Sequence, residues 1–126
     1  MASKRTESWQ GMNWIRQEKR LAIYIRDNFV CQHCSLDLKK AIHEGSSLRI
    51  ELDHLVCVSQ GGGNEAANLV TSCSKCNLER SDKNLYHFHS HAYAQAIIAQ
   101  AQKPINVAMA KQIRAQMRNE KKEVEA

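Results

Sequence analysis

Four cysteines in two Cys-x-x-Cys pairs, Cys31/Cys34 and Cys73/Cys76, bracket an Asp53-His54 dipeptide, and Asn77 directly follows the last of them. Two residues between cysteines let both sulfurs of a knuckle face one tetrahedral ion at about 2.3 Å. Four thiolates close the coordination shell, so zinc there would clamp chain segments together and do no chemistry itself. The oxygen- and nitrogen-bearing residues suit a different task. Phosphodiester hydrolysis needs an activated water, charge neutralisation at the phosphate and help for the leaving oxygen. A histidine titrating near neutrality can take the proton from water. A hard divalent cation bound through oxygen can serve the other two needs. His54 offers the first function, while Asp53 and Asn77 each offer a side-chain oxygen for the second. Adjacent strand residues point to opposite faces. Asp53 and His54 therefore share one site only if the strand bends there or the cation sits near its edge.

These residues need a frame. The chain has 126 residues, one domain's worth, and its two Phe and two Trp imply a lean core that gains from a metal staple. Four of its five cysteines fall in the two pairs, a pattern that favours zinc over disulfides in an unsecreted chain. The fifth, Cys57, lies between Val56 and Val58 and is expected to be a small apolar core residue. The first twenty residues carry no apolar leader and no apolar run is long enough to span a membrane, so a cytoplasmic protein without a membrane partner is expected. Zinc held by four thiolates would take the formal charge from +5 to about +3. That balance permits nucleic-acid binding. Basic residues gather at Lys4, Arg5, Arg16, Lys19, Arg20 and Arg26, and again at Lys111, Arg114, Arg118, Lys121 and Lys122. Both groups read equally well as solvated helix faces.

Residues 1–11 are polar and end in Gly11, which predicts a loose start. From Met12 to about Asn28, Ile15, Ala22, Ile25 and Phe29 recur at roughly helical spacing. The type of the Leu36–His43 segment is left open. Leu48–Leu52 alternates apolar and polar, predicting a strand, with Leu55–Val58 as its partner. Gly61-Gly62-Gly63-Asn64 must be a loop, Asn68-Leu69-Val70 returns to apolar chain, and Ser74–Ser81 suits a short helix. Tyr86, Tyr93, Ile97 and Ala101 predict helix up to Pro104, and Ile105, Met109, Ile113 and Met117 predict a last helix that frays over Glu120–Ala126. His87, His89 and His91, among aromatics, suit helix packing better than a third metal site. His33 is expected to be exposed, and His43 carries no signal.

The stretch from Cys31 to Lys83 resembles the HNH nuclease family, whose catalytic part has the ββα-metal (His-Me finger) fold. The family pattern is Cys-x-x-Cys, Asp-His, a Gly-Gly loop, Asn-Leu, a second Cys-x-x-Cys, then His or Asn and a basic residue three further on. Here these are Cys31/Cys34, Asp53-His54, Gly61-Gly62-Gly63, Asn68-Leu69, Cys73/Cys76, Asn77 and Arg80. The resemblance implies an α+β protein: a ββα-metal core with a four-cysteine zinc site over about 29–84, an N-terminal helix over about 12–28 and C-terminal helices over about 85–120. It implies a metal-dependent endonuclease that hydrolyses DNA, one strand per site, so that a monomer nicks. In that scheme His54 is the general base, and Asp53 and Asn77 hold the catalytic cation. Asn68 pins the following loop and keeps His54 oriented, and Arg80 contacts phosphate near the leaving group. Two positions depart from the commonest pattern. Asn77 stands where His is frequent, as in the HNH domain of RNA-guided CRISPR nucleases, and a neutral oxygen donor favours Mg²⁺ or Mn²⁺ over zinc. Cys57 stands where Pro often follows the Asp-His segment.

A non-catalytic zinc module that binds nucleic acid or a protein through basic helices is the competing reading. It accounts for the cysteines and the charge but leaves Asp53, His54 and Asn77 unused. RNA, or structured or modified DNA, is an alternative substrate. Double-strand breaks would require a homodimer, a larger nuclease complex or sequential nicks. A prokaryotic or phage-encoded setting is expected, with its pathway open.

Overall fold

One of two short strands carries Asp53 and His54, and the remaining candidates lie on the segments packed around the sheet. In the computed structural model, which describes residues 15–125, α1 spans Gln17–Arg26, α2 Leu38–His43, β1 Ile50–His54, β2 Leu69–Cys73, α3 Ser74–Arg80, α4 Leu85–Phe88, α5 His91–Ala101 and α6 Val107–Glu125. The expected loose start over 1–11, the helix onset at Met12, and Lys4 and Arg5 lie outside the described residues. The strands pair antiparallel from Ile50 opposite Cys73 to His54 opposite Leu69. The protein is thus α+β with a two-stranded sheet. Among the described residues no helix is long and apolar enough to cross a membrane.

β2 is buried at all five positions because helices cover both of its faces. Leu69 and Leu52 pack with Ile15 and Ile23 of the α1 region, while Val70 packs with Leu55, Leu85, Ala94, Ile97 and Ala101. α1 ends at Asn28 and Phe29, both with positive φ, where the Phe29 N–H reaches back to the Tyr24 carbonyl at 2.8 Å. The first cysteine knuckle follows at once, and its Gln32 N–H donates to the Thr71 carbonyl of β2 at 2.9 Å. Asp37 caps α2 through the Lys40 N–H, which settles the Leu36–His43 segment as mostly helix.

Several expectations are corrected. The first strand runs two residues later than the alternation suggested, and its partner is Leu69–Cys73, not Leu55–Val58. No turn-forming residues separate His54 from Leu55, so the chain cannot double back there. Instead it swings through a 3₁₀ turn at Val58–Gln60, the glycine loop and a second 3₁₀ turn at Ala66–Asn68 before pairing. Cys57 is half-buried, its Sγ 3.2 Å from the Ser59 hydroxyl, because the loop bulges outward there. α6 continues through Glu125 instead of fraying, and its buried contact is Ala110, with Met109 and Met117 exposed. A small residue there lets α6 lie close against α1.

Arg26 is corrected too: its side chain is 2% exposed and is no part of a basic surface. Its guanidinium pairs with Asp27 and donates to the carbonyls of Ala66, Ala101 and Leu69 at 3.0, 3.0 and 2.6 Å. Asp27 in turn accepts the Thr71 N–H at 2.9 Å. One side chain thereby joins α1, the loop before β2 and the end of α5. Removing it leaves a buried carboxylate without its cation and takes one donor from each of three carbonyls, although Ala66 keeps the Leu69 N–H. Arg26→Ala is expected to cost about 3–5 kcal/mol in urea denaturation; a loss under about 1 kcal/mol would rule out this role.

Candidate metal centre and active site

The knuckle after α1 and the β2–α3 junction bring Cys31, Cys34, Cys73 and Cys76 together, with ligand atoms all within 4.8 Å of one another. This set could hold a metal ion such as zinc, and among the described residues it is the one cluster of its kind. Local geometry prepares it. The Ser35 N–H closes the first knuckle on the Cys31 carbonyl at 2.8 Å, and the Cys73 sulfur caps α3 by accepting the Cys76 N–H at 3.3 Å. The thiols differ in ease of ionisation. Burial opposes ionisation at Cys31, but hydrogen bonds from the backbone at Cys73, Cys34 and His33 outweigh it and lower its pKa. Burial, and then the crowding of neighbouring thiols, pushes Cys34 and Cys76 upward. Four thiolates this close repel one another unless a cation sits among them. Zinc removal by a chelator, or Cys73→Ser, is therefore expected to release the knuckle and lower the melting temperature by at least about 10 °C. Metal analysis and calorimetry check this.

β1 divides the other candidates by strand alternation. Asp53 points toward α3 and is 3% exposed. Its Oδ2 accepts from Arg80 Nη1 at 2.5 Å and lies 2.7 Å from His33 Nε2. Arg80 also donates to the His54 and Leu55 carbonyls at 2.8 and 2.5 Å. At 1% exposed, it has no surface to offer a phosphate in this conformation and instead bolts α3 to the end of β1. Asn77, one turn earlier on α3, faces the same side and donates Nδ2 to Glu51 Oε1 at 2.9 Å and, more weakly, toward the Leu52 carbonyl at 3.5 Å. Asp53 Oδ1 and Asn77 Oδ1 accept no hydrogen bond among the described residues.

His54 is the last residue of β1 and points the other way. Its Nε2 lies 2.7 Å from Asn64 Oδ1. Among the described residues Asn68 makes no hydrogen bond to the ring. It accepts the Val56 N–H at 2.8 Å and donates to the Val56 and Gly63 carbonyls at 3.0 and 2.9 Å, tying both ends of the loop together. Gly62 must lack a side chain, since any Cβ would run into the Val56 carbonyl. The loop thus delivers Asn64 to His54.

Residues 31–83 match the family model described as HNH endonuclease. That segment is similar to an HNH domain. Comparison with curated proteins and with solved structures found no match. The HNH segment begins at the first metal-knuckle cysteine and ends three residues past Arg80. α5 and α6 lie beyond it.

Sequence reasoning missed two parts of the candidate site. Asn64, beside the glycines, was only a loop residue, although its place just after them was the available signal. His33 was expected to be exposed; it is buried, its ring nitrogens facing Asp53 and, at 2.9 Å, His89. The correction arises because the knuckle folds under the α4–α5 junction. His87, His89 and His91 do not converge: His89 stacks on His33 and His91 on Tyr86.

Burial first, and then the facing His33 and Arg80, hold His89 below the ordinary histidine value. A histidine depressed in the native state stabilises fully above its unfolded pKa of 6.5, and that contribution is lost as pH falls, because the unfolded chain binds a proton that native His89 resists. His89→Phe is expected to flatten the decline in stability between about pH 7 and pH 5. Parallel wild-type and variant curves in urea titrations would refute this.

Proposed function

We propose that this protein is a metal-dependent endonuclease that hydrolyses DNA phosphodiester bonds, cutting one strand per site. An HNH domain with a candidate metal centre indicates nuclease-type function. The observation that carries the finer reading is the way His54 is held. Asn64 Oδ1 can only accept, so His54 Nε2 carries the hydrogen, and in the neutral ring Nδ1 keeps its lone pair. A histidine fixed in that tautomer suits a general base. His54 Nδ1 takes the proton as the water oxygen bonds to phosphorus and the bond to the leaving oxygen breaks.

The donor chemistry fits a catalytic cation as well. Asp53 Oδ1 and Asn77 Oδ1 are hard oxygen donors on the side of β1 opposite the His54 ring, neither with a hydrogen bond among the described residues, so a cation they hold serves the phosphate that His54 faces only from the strand's edge. These two residues would hold Mg²⁺ or Mn²⁺, which when bound supplies positive charge against that developing on the phosphate and leaving oxygen. Arg80 contributes by holding Asp53 and the strand end, and Asn68 by fixing the loop that carries Asn64. Beside Asn64 lies a cleft of about 390 Å³ lined by Arg16, Lys19 and Lys111. Glu18, also in its wall, is bound to Arg114 at 2.9 Å. This excess of positive charge beside Asn64, the hydrogen-bond partner of His54, suits an acidic nucleic-acid backbone.

The buried Asp53–Arg80 pair favours a second reading, in which Asp53 is purely structural and the domain binds nucleic acid or a protein without cutting. Purified protein and supercoiled plasmid with Mg²⁺ or Mn²⁺ separate the two. Wild type is expected to nick, while His54→Ala slows at least about 100-fold with zinc content and melting temperature unchanged. Nicking by His54→Ala at the wild-type rate would remove His54 from the mechanism. Salt-sensitive binding without nicking would favour the binding module.

A further inference from the structure

The proposed chemistry leaves His33 and His89 unused, yet both ring nitrogens of a fully buried imidazole are engaged between Asp53 and His89. The directions of these bonds follow from the ends. Asp53, paired with Arg80 at 2.5 Å, is an acceptor, so His33 Nε2 carries a hydrogen and donates to Oδ2. In a neutral His33, Nδ1 then accepts, and His89 Nε2 donates to it at 2.9 Å. With both rings neutral, one tautomer is thereby specified for each.

Packing leaves the rings no room to turn. His33 and His89 stack with centroids 5.1 Å apart, Phe88 meets His33 edge-on at 5.8 Å, and Tyr93 lies 4.6 Å from His89. The Tyr93 hydroxyl is within hydrogen-bonding distance of the Gln32 and His33 carbonyls, at 3.1 and 2.9 Å, so α5 holds the knuckle backbone as well. Tyr93, Phe88 and His89 all lie beyond the HNH segment.

The consequence falls on the Asp53 carboxylate. Two donors on Oδ2 leave Oδ1 turned away from the guanidinium. With Arg80 as the lone partner, the carboxylate could rotate into a two-pronged pair that occupies both oxygens, the arrangement Arg and carboxylates favour. We propose that His33, steadied by His89, is a positioning residue that keeps Asp53 Oδ1 available and so sets the affinity of the site for its divalent cation. This rests on the reading of Asp53 as a cation ligand. The segment after the HNH core thereby tunes the metal site through an imidazole inside the first knuckle.

The test is Mn²⁺ binding to zinc-loaded protein, followed by the loss of the free-Mn²⁺ paramagnetic resonance signal, with plasmid nicking as a second readout. Three variants are compared with wild type: Asp53→Asn, His33→Phe and His33→Gln. Weakening by about 10-fold or more is expected for His33→Phe, as for other residues that orient a metal ligand, with substantial recovery in His33→Gln, which can still donate to Oδ2. Zinc content and melting temperature report a merely structural effect. If His33→Phe loses zinc, His89→Phe keeps the ring stack and leaves the knuckle sequence intact, and weakening of about threefold is expected. Wild-type Mn²⁺ affinity in a zinc-loaded His33→Phe or His89→Phe protein, alongside weakened binding in Asp53→Asn, would overturn the positioning role and leave the functional reading standing. Wild-type affinity in Asp53→Asn would overturn both.

Discussion

A guanidinium taken out of water must find its charge and its hydrogen bonds inside the protein. Arg80 does so through Nη1 and Nη2 where sheet, helix and loop meet, binding Asp53 together with the His54 and Leu55 carbonyls, while its buried Nε has no partner among the described residues. The carbonyls it uses belong to residues leaving the strand, where the two-stranded ladder ends and would otherwise expose unpaired acceptors. The last turn of α3 is therefore docked on β1 by charge as well as by apolar contact. Every side chain with chemical potential is referred to this point: Asp53 directly, Asn77 one turn earlier on the same helix, and His54 through its own carbonyl.

The cysteine cluster and the two buried arginines divide the structural work. The cysteines join the knuckle to β2 and α3, Arg26 joins α1 to the loop before β2 and to α5, and Arg80 joins α3 to β1. The apolar clusters between them are small, built largely from Leu, Ile and Ala. In so lean a core, directional bonds to carbonyls fix the placement of elements that hydrophobic burial alone would leave loosely specified.

Local pattern made part of this legible. Cys-x-x-Cys spacing announces convergence on an ion because the geometry of a knuckle is local, and the alternation around Leu52 announces a strand for the same reason. The helix after Cys73 was equally plain. Strand pairing was not, since alternation identifies a strand without naming its partner, and the partner lies across a loop whose turns depend on Gly62 and Asn68. Arg26 and Arg80 read as surface or substrate contacts because a sequence does not reveal that carbonyls from distant segments await them. His33 was misread for a related reason. What buries it arrives more than fifty residues later, in the aromatic turn at Phe88 and His89.

The order of these parts along the chain has a consequence for synthesis. A nascent polypeptide emerging from the ribosome presents Cys31 and Cys34 long before Cys73 and Cys76, and Asp53 before Arg80. In that interval the first knuckle is half a binding site, and the carboxylate that will be buried has no counter-charge. Folding of the core must wait for the β2–α3 junction and α3, which deliver two sulfurs and the guanidinium, while the α4–α5 junction brings His89 later still. The core is thus completed in stages, and the Asp53 carboxylate stays open to solvent until translation has passed Arg80.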